Sequence, residues 1–207
     1  MVRRIDQALG VADPEPSAGG GRLPLLVAVS GPPAAGKSSV AVRLGSALAL
    51  PVLSRDALKT GMLFTEPAGT PVPYGGEHSV RSWDLFSVMT SRLLEAGVSL
   101  VIEQAFLRGR GEAFFEPFLP RSRLLLVQCD VSREESLRRF RRRIADPTRQ
   151  NPTDVELLDL LERGTLAHDL YEPLDLSCPV LRCDTTDIGT AAFDARLADL
   201  AETIRVH

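Results

Sequence analysis

Apolar segments alternate with amphipathic ones along most of the chain. Near-continuous apolar runs occupy 23–30, 98–106, 122–130 and 178–184, with a short one at 51–54. Helical spacing of apolar positions follows at 37–50, 79–96, 132–143 and 190–206. Strands that are apolar throughout are typical of parallel sheets, which need crossover connections and are covered on both faces. The pattern predicts an α/β fold with a five-stranded parallel sheet and helices on both faces.

The first 21 residues differ from the rest. A short polar helix is predicted over 2–9, followed by a Pro/Gly/Ser-rich linker that ends in three glycines at 19–21. This segment lacks the apolar stretch of a secretory signal, and no run approaches the roughly 20 apolar residues of a membrane span. We expect a flexible segment over 1–21, one domain over 22–207, a cytoplasmic location and no membrane partner.

Composition narrows the class of partner. With 207 residues, 44% of them hydrophobic, the chain can bury a substantial core, and its formal charge of −3 disfavours a broad nucleic-acid footprint. Arginine supplies nearly all of the positive charge, because only Lys37 and Lys59 are lysines. The cysteines Cys129, Cys178 and Cys183 are odd in number and have no CxxC spacing, so we expect buried free thiols.

The strongest motif follows the first predicted strand. Residues 31–38 read GPPAAGKS, which fits G-x-x-x-x-G-K-[ST], and they open a predicted helix. Such a loop holds phosphate oxygens with backbone N–H groups, while its lysine reaches the β- and γ-phosphates and its serine ligates Mg²⁺. The expected ATP-binding residues are Gly31, Ala34, Ala35, Gly36, Lys37, Ser38 and Ser39.

The rest of the sequence helps to decide which class of P-loop protein this is. GTPases read guanine with an Asn-Lys-x-Asp motif and carry an Asp-x-x-Gly switch motif after a strand. The sequence contains neither motif, which disfavours a GTPase. Motor and recombinase ATPases are usually larger. A compact domain with a later arginine-rich segment is typical of a phosphotransferase that closes a lid to exclude water.

Four segments in order carry a family resemblance: GPPAAGKSS, LSRDALKTGM, LLEAGVSLVIEQAFLRG and an arginine-rich helix. Together, over about 22–205, they resemble the P-loop kinases (AAA-family ATPases) that include chloramphenicol phosphotransferase, phage polynucleotide kinase and zeta-toxin kinases. The resemblance implies transfer of the γ-phosphoryl of ATP to a hydroxyl group, with Mg²⁺. It leaves the acceptor open because the group is diverse.

The acceptor is expected just past the second strand. Asp56 follows that strand at the edge where α/β sheets place their ligands, and in-line transfer needs a carboxylate that takes the hydroxyl proton. By resemblance, Asp56 matches the catalytic base of this group. An ordinary helix N-cap is the alternative. Lys59 is expected to hold an acceptor or phosphate oxygen, with a solvated surface lysine as its alternative.

Further candidates follow the third predicted strand. Glu103, with Gln104 beside it, is expected next to the phosphate loop, where its carboxylate would hold Mg²⁺ or orient the acceptor. The related kinases tend to have Asp here, and a buried structural pair is the alternative. Arg108 is a candidate acceptor ligand or, equally, an exposed arginine.

An arginine-rich helix precedes the expected lid. Ser132 and Glu135 form a capping-box pattern, and five arginines fall within 138–143. In the resembling kinases this helix supplies arginines to the transferred phosphoryl, and we select Arg138 and Arg142, which share a face. A short lid is predicted over 146–152, with a solvated charged face as the alternative for the arginines.

The segment over 65–79 is too long and too rich in Pro and Gly for a simple connector. It is expected to contribute to acceptor specificity, together with the start of the following helix; the candidate residues are Tyr74, Glu77, His78, Arg81 and Trp83. The sequence thus predicts a kinase of small-molecule hydroxyl groups. A kinase of nucleic-acid 5′-hydroxyls or sugar nucleotides and a non-catalytic nucleotide-binding module remain alternatives.

Overall fold

The computed structural model describes residues 22–67, 70, 72–146 and 153–207. The helix predicted over 2–9 and most of the predicted lid, 147–152, lie outside the described residues. Within the described ranges no helix is both long and apolar enough to serve as a membrane span.

Five strands form one parallel sheet in the order β2-β3-β1-β4-β5, which confirms the predicted fold class. Each strand is shorter than the apolar run that predicts it, because a strand extends only as far as its backbone pairs with a neighbouring strand. The strands are β1 (Leu25–Ser30), β2 (Val52–Ser54), β3 (Leu100–Glu103), β4 (Arg123–Asp130) and β5 (Val180–Asp184).

Seven α-helices are found in the described part of the chain. They are α1 (Lys37–Leu48), α2 (Arg55–Leu63), α3 (Glu77–Glu95), α4 (Glu112–Phe115), α5 (Arg133–Ile144), α6 (Asp154–Glu162) and α7 (Ala191–Val206). Within the same described ranges, 3₁₀ turns span Leu119–Arg121 and His168–Tyr171. The Ser132 hydroxyl accepts a hydrogen bond from the Glu135 N–H at 3.2 Å, so α5 begins at the cap that the sequence predicts.

The alternation of side chains along β1 divides the core into two layers. Val27 and Val29 pack with α1 and α7, whereas Leu26 and Ala28 pack with α3 and a cluster of phenylalanines on the other face. Cys129 and Cys183 are buried free thiols and Cys178 is partly buried. Burial raises the pKa of all three, so these thiols stay protonated and act as core residues.

Candidate active site

The phosphate loop occupies the turn between β1 and α1. Gly31 has φ +139°, and a Cβ there would lie 2.5 Å from the Cys129 carbonyl oxygen on β4, so only glycine fits. Gly36 also has positive φ, at +84°, directly before the helix begins. Gly31 and Ala35 shape the loop from behind, since they are buried and are not among the residues that line the adjoining cavity.

This cavity, of about 980 Å³, lies at the carboxyl ends of the strands. Its volume is at the upper end of the range for ligand pockets, which leaves room for a nucleotide and a second molecule. Of the loop residues expected to bind ATP, five line it, namely Ala34, Gly36, Lys37, Ser38 and Ser39.

Lys37 is buried at the centre of the loop. Its Nζ donates a hydrogen bond to the Pro32 carbonyl oxygen at 2.8 Å. Burial lowers the pKa of Lys37, while the negative charges of Glu103 and Asp56 oppose that shift. Lys37 therefore shares one electrostatic environment with both carboxylates, and a polyphosphate in the loop would supply the additional negative charge that favours its charged form.

Asp56 lies one residue inside α2 and lines the cavity. The N-cap of α2 is Ser54, whose Oγ accepts a hydrogen bond from the Ala57 N–H at 3.3 Å, so Asp56 does not serve as the helix cap. Its side chain is 66% exposed, and its Oδ1 is 3.6 Å from Nη1 of Arg55. The carboxylate is thus accessible to a molecule in the cavity.

Glu103 ends β3 next to β1, as its pairing with Val29 shows. Its Oε2 accepts a hydrogen bond from Ser54 Oγ at 2.7 Å, and it also interacts with the Ser38 hydroxyl. Burial raises the pKa of Glu103, with Lys37 as the largest opposing influence. An alcohol oxygen and a carboxylate side by side fit Mg²⁺, which prefers oxygen ligands. No cluster of three or more metal-binding side chains occurs in the described ranges, so Mg²⁺ would share its coordination with phosphate oxygens.

We expect Glu103→Gln to stabilise the ligand-free protein at neutral pH. Because the pKa of Glu103 is raised on folding, wild-type stability falls as pH rises from the ordinary value of 4.5 through the raised pKa. The amide cannot titrate, so this loss disappears and Tm should rise by about 2–4 °C, equivalent to roughly 1 kcal/mol at this chain length. Thermal unfolding over a pH series measures it, with the exposed Glu116→Gln as control. Parallel pH profiles of wild type and Glu103→Gln would contradict the expectation.

The arginines of α5 divide between the cavity and the outer surface. Arg142 lines the cavity as expected, but Arg138 is not among the lining residues, because its guanidinium is 58% exposed and binds Glu135. Arg139 and Arg143, one helical turn apart, line the cavity as well. We therefore replace Arg138 by Arg139 in the candidate set.

Arg139 connects α5 to the turn after β5. Its Nη2 donates to the carbonyl oxygens of Thr185 and Thr186 at 2.9 and 2.8 Å, and its Nε donates to Glu135 at 2.6 Å. Its buried Nη1 has no hydrogen-bond partner among the described residues. Arg143 binds the buried carboxylate of Asp154 at 3.0 Å, which connects α5 to α6.

The end of the cavity near β2 and β3 contains two cationic side chains that contact other protein groups. Lys59 is buried, which excludes a solvated surface lysine, and its Nζ donates to Thr153 Oγ1 at 3.3 Å. Burial, followed by the charge of Arg55, lowers the pKa of Lys59. Arg55 is also buried, donates to the Ser79 carbonyl oxygen at 2.9 Å and lies over the ring of Trp83.

Some of the residues that were predicted to bind the acceptor do not line the cavity. Arg108 is exposed and is not a lining residue, whereas Arg110, two positions on, is. The chain turns after β3, which moves Arg108 away from the cavity. Of the candidates around 74–83, Tyr74 and Trp83 line the cavity. The others make contacts outside the cavity: Glu77 faces Arg81 at 3.7 Å, and His78 Nε2 lies 2.8 Å from Glu66.

Among the lining residues that the sequence did not indicate as ligands are Arg55, Arg110, Arg139, Arg143 and Phe114. Arg55 could have been considered because it directly precedes Asp56, and Arg139 and Arg143 because they share one helical face within the arginine run. Gln104, which the sequence paired with Glu103, also lines the cavity. Phe114 gave no signal, since an aromatic residue in a short helix is usually a core residue.

Comparisons with solved structures agree on the fold. A candidate kinase from Chloroflexus aurantiacus has a TM-score of 0.73 and 23% identity, covering 90% of this chain and 99% of that one. A sugar kinase from Janibacter has a TM-score of 0.57 and 17% identity, covering 88% of this chain and 95% of that one. The APS kinase of Mycobacterium tuberculosis, solved with AMPPNP and APS, has a TM-score of 0.54 and 18% identity, covering 89% of this chain and 99% of that one. Identities this low show the fold alone.

No curated protein sequence matches the chain significantly. A family match is nevertheless found: the AAA domain family AAA_33 matches residues 26–164, which include the phosphate loop, Asp56, Glu103 and the arginines of α5. The chain therefore belongs to this AAA domain family and has the kinase-like P-loop fold.

Proposed function

We propose that this protein is an ATP-dependent phosphotransferase that moves the γ-phosphoryl of ATP to a hydroxyl group of a small molecule. The observation that carries the proposal is that Lys37 of the phosphate loop and the accessible carboxylate of Asp56 line one cavity and influence each other electrostatically. A carboxylate opposite a phosphate loop is what transfer to a hydroxyl requires.

Each residue has a defined part in this reaction. The backbone N–H groups at the start of α1 hold the phosphates, and Lys37 stabilises charge on the transferred phosphoryl. Ser38 and Glu103 would hold Mg²⁺, which neutralises charge on the β- and γ-phosphate oxygens. The oxygen of the acceptor hydroxyl attacks the γ-phosphorus while Asp56 accepts the proton of that hydroxyl. The bond between the γ-phosphorus and the β–γ bridging oxygen breaks, and ADP leaves.

The cavity-lining arginines of α5 complete the phosphate site. Arg142 has no ion-pair partner within the described ranges, and the buried Nη1 of Arg139 has no hydrogen-bond partner there. Both can take a share of the negative charge on the polyphosphate.

The test is ADP release from ATP and Mg²⁺ over separate panels of sugars, nucleosides, aryl alcohols and 5′-hydroxyl oligonucleotides, with mass spectrometry of the product. We expect acceptor-dependent ADP release and a phosphorylated small molecule. Stimulation by oligonucleotides alone would assign a nucleic-acid kinase. Nucleotide binding without stimulation by any class would assign a non-catalytic module.

A further inference from the structure

The phosphate loop contains a tight turn over residues 32–35. The Pro32 carbonyl oxygen accepts a hydrogen bond from the Ala35 N–H at 3.1 Å, which closes the turn around Pro33 and Ala34. Ala34 has φ +58°, in the left-handed region. Proline fixes its own φ at about −65°, and a positive φ at the residue that follows it in the turn is the mark of type II. The turn is therefore of type II, with alanine at the position that glycine or asparagine usually occupies.

The left-handed conformation of Ala34 is strained. A residue with a Cβ loses free energy in this region, whereas glycine adopts it freely. A type I turn keeps the same closing hydrogen bond but has a negative φ at this position, and it forms when the peptide group between Pro33 and Ala34 rotates by about half a turn. The local sequence therefore favours type I, and a contact from outside the loop is needed to hold the observed form.

That contact comes from Ser136 on α5. The residue is 4% exposed, and its Oγ donates a hydrogen bond to the Pro33 carbonyl oxygen at 2.7 Å. This oxygen belongs to the peptide group that rotates between the two turn types. Because the C=O and N–H of a trans peptide point in opposite directions, holding the Pro33 carbonyl toward Ser136 directs the Ala34 N–H to the opposite side of the loop.

The helix that carries Ser136 is itself fixed beside the loop. Leu137 and Phe140 of α5 pack with Tyr171 in a buried cluster. Ala34 packs against the same cluster, so the loop and α5 also meet through apolar contacts. Arg139, on the next turn of α5, donates to the carbonyl oxygens of the turn after β5. A hydroxyl on a helix held in this way has a defined position and can orient the peptide group that it contacts.

We propose that Ser136 is a positioning residue for nucleotide binding: it selects the type II turn and thereby directs the Ala34 N–H toward the polyphosphate. With the peptide group rotated, the Pro33 carbonyl oxygen would take the place of that N–H and repel the phosphate oxygens. The hydrogen bond from Ser136 offsets the strain at Ala34. This inference rests on the proposed function only for the identity of the nucleotide, because it concerns phosphate binding and not the transfer step.

The test is a double-mutant cycle of Ser136→Ala and Ala34→Gly, with the affinity for AMPPNP and Mg²⁺ measured by calorimetry. Ser136→Ala should weaken AMPPNP binding about tenfold, because the peptide loses the buried hydrogen bond that orients it. In the Ala34→Gly background the same substitution should weaken binding by no more than about twofold, because glycine adopts the type II turn without strain. Equal losses in the two backgrounds would show a role in packing alone and would overturn the proposal.

Ser122→Ala is the matched control. Ser122 is also buried, and its Oγ donates to the Phe118 carbonyl oxygen at 2.8 Å, but it lies before the amino end of β4, whereas the loop lies at the carboxyl end of β1. We expect a lowered Tm and unchanged AMPPNP affinity.

Wild-type AMPPNP affinity in Ser136→Ala, or an equal loss of affinity in Ser122→Ala, would overturn the proposal. Should Ser136→Ala fail to fold, Ser136→Cys takes its place in the cycle; its S–H is a weak donor, so AMPPNP binding should weaken about threefold with Ala34 present and not in Ala34→Gly. The expected pattern of affinities without acceptor-dependent ADP release would instead contradict the proposed function alone.

Discussion

Replacing Asp56 by Asn is expected to lower kcat at least about a hundredfold and to leave ATP affinity unchanged. The amide keeps the size and hydrogen-bonding reach of the side chain but cannot accept the proton of the acceptor hydroxyl. Ser54 caps α2, so the substitution should not disturb the helix. Steady-state kinetics with an acceptor found in the ADP-release assay, and ATP titration by calorimetry, measure the two quantities.

Asp84→Asn is the control for this experiment, since Asp84 is an exposed carboxylate on α3 that does not line the cavity. It should behave as wild type in both measurements. If Asp56→Asn retained wild-type turnover, the acceptor proton would have to go elsewhere, and Asp56 would no longer be the base. A parallel loss of ATP affinity would make Asp56 a nucleotide ligand instead.

Replacing Lys37 by Met is expected to weaken ATP binding and to reduce transfer by about 10²–10³. Methionine has a similar length but no charge, so the polyphosphate loses the cation at the centre of the loop. Glu103 also loses its largest opposing charge, which raises the pKa of that carboxyl further and works against its metal-binding role. ATP titration with and without Mg²⁺ separates the two contributions.

The same substitution at the only other lysine is the matched control. Lys59→Met also removes a buried ammonium, but at the end of the cavity near β2 and β3, so it should leave ATP affinity intact and change only the dependence on acceptor. Equal loss of ATP affinity in both variants would contradict separate nucleotide and acceptor ends. Lys37→Arg should remain impaired, because a planar guanidinium does not replace a compact ammonium in a tight loop.

The arginine-rich helix shows how far a sequence pattern reaches. The spacing of Leu137 and Phe140 identified the buried face of α5, and Ser132 identified its start. Arginines flank that face on both sides, so the spacing alone does not decide which flank meets the cavity. The packing of α5 against α6 and the turn after β5 decides it, and it selects Arg139, Arg142 and Arg143 over Arg138.

The acceptor candidates show the same limit, because the sequence pattern did not predict which of them is buried. Lys59 is buried and Arg108 exposed, although both were acceptor candidates of similar standing. Neither outcome follows from neighbouring residues, because each depends on segments far along the chain. Thr153, directly before α6, covers Lys59, and the Arg108 N–H in the turn after β3 donates a hydrogen bond to the Leu170 carbonyl oxygen.

The sequence by itself determined the parallel sheet, the phosphate loop and the positions of Asp56 and Glu103 at strand ends, because these depend on local periodicity and on short motifs. Only the tertiary structure decided which side chains share the cavity, what engages Arg55 and Lys59, and that Phe114 lines the cavity. Such contacts join residues distant in sequence, and no local pattern encodes the rotation of one helix relative to another.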